Sequence, residues 1–160
     1  MNSSEISYIA DVGFKSAQHA QLLFVACSDF RFRQAFFDFQ KNFLQNRGID
    51  QIIVPGGVLC FFGGRYGYPD SARVAEFWAR FLGEHHHIEE VILLGHEDCA
   101  AYANAPKLKS LSGEQLKEEQ LEDLLAAKQV IEDSLPNVKV KTFLASLDSA
   151  LDKIVFSEIS

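Results

Sequence analysis

The chain contains only three cysteines in 160 residues, Cys27, Cys60 and Cys99. An odd count with no export signal argues against a disulfide framework and leaves reduced thiols available as ligands. Long apolar runs are missing: none approaches the roughly 20 residues that a membrane-spanning helix needs. Positive charge is scarce as well, with 15 Lys and Arg against 22 Asp and Glu for a net charge of −7. These cations are scattered rather than striped, so the electrostatic footprint of a nucleic-acid binder is absent. Residues 1–30 carry Glu5, Asp11 and polar breaks in place of a basic stretch followed by an uninterrupted apolar core. That pattern gives no secretory signal and leads to an expected cytoplasmic location. There is no internal repeat and no low-complexity segment.

What remains is the composition of a soluble globular chain, 48% hydrophobic and 23% charged. Its length suits one domain over residues 1–160. Leu22 to Ala26 form a continuous apolar run of strand length, the mark of a strand covered on both faces. Phe36, Phe39, Gln40 and Phe43 then recur at helical steps, with Gly48 standing where a helix end would want a positive φ. Gln51 to Val54 read as a second strand, stopped by Pro55-Gly56-Gly57. Gly63, Gly64, Gly67 and Pro69 make the most loop-like stretch, after which Asp70 or Ser71 can cap a helix. Val74, Phe77, Trp78, Phe81 and Leu82 form the cleanest amphipathic stripe, expected to lie on the sheet.

Val91 to Leu94 read as a third buried strand. A long helix from about Gly113 to Ser134 opens on a Ser112-x-x-Gln115 capping box and closes at Pro136-Asn137. Val138 to Phe143 make a fourth strand and Ile154 to Phe156 a short fifth one. Strands alternating with helices predict an α/β fold, a mostly parallel sheet of four to five strands with helices on both faces. Ligands of such sheets bind beyond the carboxyl ends of the strands, where the strand order reverses.

Two clusters occupy such positions. Cys27-Ser28-Asp29-Phe30-Arg31 follows the first strand, and His96-Glu97-Asp98-Cys99 follows the third. Zinc favours thiolate and imidazole, and catalytic sites commonly keep three protein ligands and one exchangeable position. Cys27, His96 and Cys99 make such a set for Zn2+, with Asp29 a candidate fourth ligand. The set requires the first and third strands to be neighbours. Arg31 can hold Asp29 bidentately and so keep the fourth position open to water. The plainer reading of Asp29 and Arg31 is a surface ion pair or a helix cap.

With Cys-x-Asp-x-Arg after one strand and His-x-x-Cys after a later one, the chain resembles the β-class carbonic anhydrases, as a divergent and short member. The order of strands and helices agrees over most of the chain. The resemblance implies that Cys27, His96 and Cys99 hold zinc and that Asp29 with Arg31 is the catalytic dyad. It further implies that Asp29 binds the metal in a closed state when its pair with Arg31 is broken. The implied activity is reversible hydration of CO2 to bicarbonate, in which zinc makes hydroxide available near neutral pH. Two thiolates donate more charge than imidazoles, so a raised pH optimum is expected.

The rival activities are hydrolysis of a CO2-like sulfur compound, COS or CS2, and zinc binding without catalysis. Family members form dimers with the active sites near the interface, so a homodimer or higher homo-oligomer is expected, with part of the Phe36 to Phe43 surface as a subunit contact.

The chain departs from the family at three points. Ala100 and Ala101 stand where two glycines are usual, Pro55 replaces the side-chain amide of an Asn-Ala-Gly turn, and Phe30 occupies a small or polar position. Phe30 either walls an apolar substrate pocket or simply packs. His85-His86-His87 reads as a solvated helix end, and Cys60 as a small buried hydrophobe.

Overall fold

The computed structural model describes residues 19–45 and 47–160. β1 (Leu22–Cys27) is buried along its whole length. It runs parallel to β2 (Ile49–Val54) on one side and to β3 (Glu90–His96) on the other. β4 (Lys139–Asp148) continues the sheet parallel to β3, and β5 (Lys153–Ile159) closes it as an antiparallel hairpin partner. The order is β2-β1-β3-β4-β5. From β1 the chain goes outward to β2 and then returns past β1 to β3, so the crevice between the ends of β1 and β3 is the point where strand order reverses. The adjacency that the ligand set requires is therefore present.

Period-two alternation divides the core between two faces. Leu23, Val25 and Leu93 point to α3 (Ser71–His85) and α5 (Gly113–Ser134). Leu22, Phe24, Ala26, Ile92 and Leu94 point the other way, toward Phe32, Phe36 and Phe39. That second face is covered by α1 (Arg33–Asp38) and a π-helical turn over Phe39–Phe43. Phe36 and Phe39 are buried while Phe37 and Phe43 are exposed. α5 begins with the expected capping box: Ser112 Oγ accepts from the Gln115 amide, and Gln115 Oε1 accepts from the Ser112 amide.

Three local expectations are corrected. The stripe on α3 does not lie on the sheet: Val74, Phe77, Trp78 and Phe81 are 53, 57, 47 and 38% exposed. Ala75, Ala79 and half-buried Leu82 face the core in their place. Small residues at four-residue steps, Ala75, Ala79 and Gly83, let α3 approach closely, and a Cβ on Gly83 would meet Leu135 at 2.6 Å. Close approach outweighed the larger apolar residues on the opposite side.

Gly48 does not carry the positive φ after the first helix. Gln45 takes it, at 58°, while the Gly48 carbonyl accepts from the Gln21 and Leu22 amides to start β1. The glycine-rich stretch is also more ordered than a loop. Gly57–Phe62 form a 3-10 helix and Gly63–Tyr66 a short α2, ended by Gly67 at φ 101°. Asp70 stands at the start of α3 without a side-chain cap bond.

Candidate metal centre

Cys27 ends β1, His96 ends β3 and Cys99 stands just before α4 (Ala100–Asn104). Parallel pairing of β1 and β3 brings them together although 72 residues separate the two thiols. The sulfurs are 3.8 Å apart, and the three donor atoms all lie within 4.8 Å of one another. His96 Nδ1 lies 2.8 Å from the Glu97 carbonyl oxygen and so donates to it. Nε2 is then the lone-pair nitrogen, buried and without any hydrogen-bond partner. Leaving a buried acceptor unpaired costs about 1–3 kcal/mol.

A bound cation removes that cost, and the spacing fits zinc. Two sulfurs about 2.3 Å from one tetrahedral ion stand about 3.8 Å apart. The donor set therefore fits Zn2+.

Local backbone supports the thiols. Gly56, at φ 81°, donates its amide to Cys27 Sγ at 3.2 Å. Gly57, at φ 56°, packs so tightly over the strand ends that a Cβ would meet Cys27 N at 3.0 Å. Pro55 therefore costs the sulfur no backbone bond. Ala101 and Tyr102 present their amides to Cys99, so Ala100 and Ala101 form the first turn of α4 without displacing it.

Hydrogen bonding from Cys99 pulls the Cys27 thiol well below its usual range. The same contact, with burial, pushes Cys99 up. A divalent ion held by both sulfurs would displace their protons.

Arg31 surrounds the Asp29 carboxylate. Nε lies 3.1 Å from both oxygens, Nη2 2.7 Å from Oδ2, and the Arg31 amide 3.0 Å from Oδ1. These bonds lower Asp29 to about 2. Asp29 thus faces Arg31 rather than joining the three donors, and its Oδ1 accepts the Arg31 amide in the turn that leads into α1, where Phe32 itself makes no side-chain cap bond.

The same guanidinium crosses to the second loop, where Nη1 is 2.7 Å from Asp98 Oδ2 and Nη2 is 2.8 Å from the Asp98 carbonyl. Asp98 has φ 55°, a left-handed conformation that Asp tolerates better than most residues. Neither Asp98 nor its neighbour Glu97 had been assigned a role from sequence. Glu97 pairs with Lys117 at 2.6 Å and accepts from the Leu147 amide, fastening the loop to α5 and β4.

A buried network that no sequence motif marks lies behind Cys99. Asp123, fully buried on α5, accepts from the Tyr102 hydroxyl at 2.8 Å and from the Tyr66 hydroxyl at 2.9 Å. Burial pushes Asp123 up to about 6. Burial also pushes both tyrosines up. The one available signal was a lone Asp on the apolar side of α5, aligned with Leu124, Ala127 and Ile131.

Two open cavities reach the centre. One, about 490 Å³, is lined by Cys27, Asp29, Phe30, Phe36, Gln51 and Ile53. The other, about 590 Å³, is lined by Cys27, Arg31, Pro55, Asp98 and Ala100. Phe30 is 83% exposed and borders both, so it walls the approach rather than packing inside.

A third, apolar groove of about 540 Å³ runs between β2 and α3, past Ile52, Val54, Val74 and Trp78. Cys60, half-buried, lines it, its thiol pushed up to about 12 by burial. His86 pairs with Asp50, and His85 to His87 take no part in the metal-capable cluster found among the described residues. No helix among those residues is long and apolar enough to cross a membrane.

Comparison with known proteins agrees with this geometry. A family model described as "Putative carbonic anhydrase" matches residues 17–155. An uncharacterised protein of Rickettsia bellii is 27% identical over 141 residues, covering 88% of this chain and 85% of its own. The crystal structure of carbonic anhydrase from Streptococcus mutans superposes with a TM-score of 0.61 at 12% identity, covering 93% of this chain and 88% of that one. The apo form of a carbon disulfide hydrolase superposes with a TM-score of 0.53 at 12% identity, covering 86% and 78%.

Proposed function

The chain belongs to the carbonic anhydrase family, matched over residues 17–155, and we propose that it is a zinc-dependent carbonate dehydratase interconverting CO2 and bicarbonate. One observation carries this reading: the buried, unpartnered Nε2 of His96 beside two thiols 3.8 Å apart. Cys27, His96 and Cys99 would hold the ion, with the Glu97 carbonyl fixing the imidazole tautomer through Nδ1. Zinc held there supplies the Lewis acidity that makes hydroxide available near neutral pH.

The remaining work falls to the chain's own groups. Asp29, kept ionised by Arg31, can only accept hydrogen bonds, so it orients a hydroxyl by its hydrogen and leaves the oxygen lone pair for carbon. Arg31 keeps the Asp29 carboxylate turned away from the donor set; with the pair broken, Asp29 would be free to serve as a further ligand. Phe30, Phe36 and Ile53 give the nearer cavity an apolar wall suited to an uncharged linear substrate.

Stopped-flow CO2 hydration by the zinc-loaded protein tests the reading, with a rate above buffer expected. Absence of that rate with one zinc per chain overturns it. Turnover of CS2 or COS without CO2 hydration selects the sulfur-compound reading, which the fold shared with a carbon disulfide hydrolase favours. Inactivity toward all three, with an Asp29 oxygen on zinc at every pH, selects a non-catalytic zinc protein.

Assembly into at least a homodimer belongs to the same proposal. β2 is an edge strand, and its outer side adjoins both the apolar groove and the outward face of α3. A second copy on that edge would also close the cavity wall formed by Gln51 and Ile53. Sedimentation velocity should give a dimer that Trp78→Lys dissociates, whereas a monomeric wild type overturns this part. Three free thiols fit a reducing cytoplasm.

A further inference from the structure

Arg31 spends its donors on two residues in two different loops. Nε and Nη2 hold Asp29, while Nη1 and Nη2 reach the carboxylate and the carbonyl of Asp98. The guanidinium has five N–H groups, of which Nη2 carries two. Asp29 and Asp98 therefore do not compete for the same proton, and both can be bound at once. The left-handed backbone at Asp98 brings its carboxylate and its carbonyl onto one guanidinium. An ordinary surface pair holds its partner by one group; here two acceptors of one residue fix the plane of the fork.

We propose that Asp98 is a positioning residue, a latch that holds Arg31 in the orientation that grips Asp29 and so keeps the Asp29 carboxylate away from the metal position. The proposal rests on the reading of Asp29 as the group beside the metal. Stability is not its purpose: the Asp98 side chain is 84% exposed and that of Arg31 44%, and such pairs contribute little to folding. What Asp98 limits is rotation of a long side chain whose other end must stay on a nearly enclosed carboxylate.

The test uses Asp98→Gly, which suits the positive φ and keeps the carbonyl, and Asp98→Asn, which keeps an acceptor oxygen. Exchange of the Arg31 Nε proton with water is read by nitrogen-15 NMR on the zinc-loaded and the metal-free protein. Asp98→Gly should speed it about tenfold through local opening, with Asp98→Asn between that and wild type and the thermal midpoint unchanged. X-ray absorption of the zinc-loaded Asp98→Gly protein should show a carboxylate oxygen from Asp29 in the ligand set, absent when Asp29→Ala is added. On an Arg31→Ala background, Asp98→Gly should change the ligand set no further. Exchange in Asp98→Gly within twofold of wild type, or effects of Arg31→Ala and Asp98→Gly that simply add, overturns the latch. A wild type without CO2 hydration would overturn the proposed activity while leaving the proton-exchange result to stand by itself.

Discussion

Asp29 and Asp123 are the same chemical group placed on either side of the candidate metal centre, and they behave oppositely. Asp29 lines the open cavities with its side chain 11% exposed, and a guanidinium wraps both of its oxygens. Asp123 is fully buried and is met chiefly by the neutral hydroxyls of Tyr66 and Tyr102. Arg31 drives the first down to about 2, while burial drives the second up to about 6. Two neutral hydrogen bonds do not offset the loss of water around a carboxylate; a charged fork does. The chain thus keeps a permanent anion where chemistry is proposed and a titrating group where helices are joined.

Replacing each carboxylate should separate the two roles. Asp29→Ala should lower kcat/KM for CO2 hydration by about 100-fold or more, with zinc content unchanged. An equally active Asp29→Ala protein would dissolve the contrast from the catalytic side. Asp123→Leu should act on folding instead, because the buried Tyr102 hydroxyl is orphaned at about 1–3 kcal/mol, while the Tyr66 hydroxyl keeps Glu119 as acceptor. Urea unfolding should register that loss, while hydration per folded molecule stays within about threefold. A large drop in hydration with unchanged urea stability would assign Asp123 to the reaction and end the comparison.

The pH dependence of stability sharpens the point. Asp123 is raised from 3.8 to about 6, so between those values the folded chain binds more protons than the unfolded chain. Its contribution to stability is therefore greatest below about pH 4 and declines as pH rises to about 6. Asp29, lowered from the same starting value, contributes in the other direction: its stabilisation is present above about pH 4 and fades as pH falls toward 2. Urea titrations of Asp123→Asn should lose the decline between pH 4 and 6. An unaltered slope would mean that another group titrates there. The smallest effect is expected from Tyr102→Phe, about 1 kcal/mol for one net hydrogen bond, with Asp123 rising further for want of a donor.

Sequence made the candidate ligands legible because strand ends are. An apolar run that stops at Cys27 and another that stops at Gly95-His96 already locate both clusters at the carboxyl edge of a parallel sheet, and β1 beside β3 was the single adjacency needed. The capping box at Ser112 was legible for the same reason, since its partners are three residues apart. α3 was misread because periodicity reports that a helix has an apolar face without saying what covers it. Ala75, Ala79 and Gly83 won the core side by smallness, which a search for large residues overlooks. Asp98 and Asp123 stayed hidden since their partners, Arg31 and the two tyrosines, are brought to them only by tertiary structure.

The two sulfurs of the centre also set a timetable for biosynthesis. Cys27 precedes Cys99 by 72 residues, and ribosomes add about 5–20 residues per second. For about 4–14 s the first thiol is outside or leaving the ribosome with no second thiol to join it. Gly57, which seals the strand ends over it, arrives in the middle of that interval. β2 is made before β3, but the donor set stays incomplete until His96 and Cys99 have followed, so a metal held by all three donors would be acquired only after that point of synthesis.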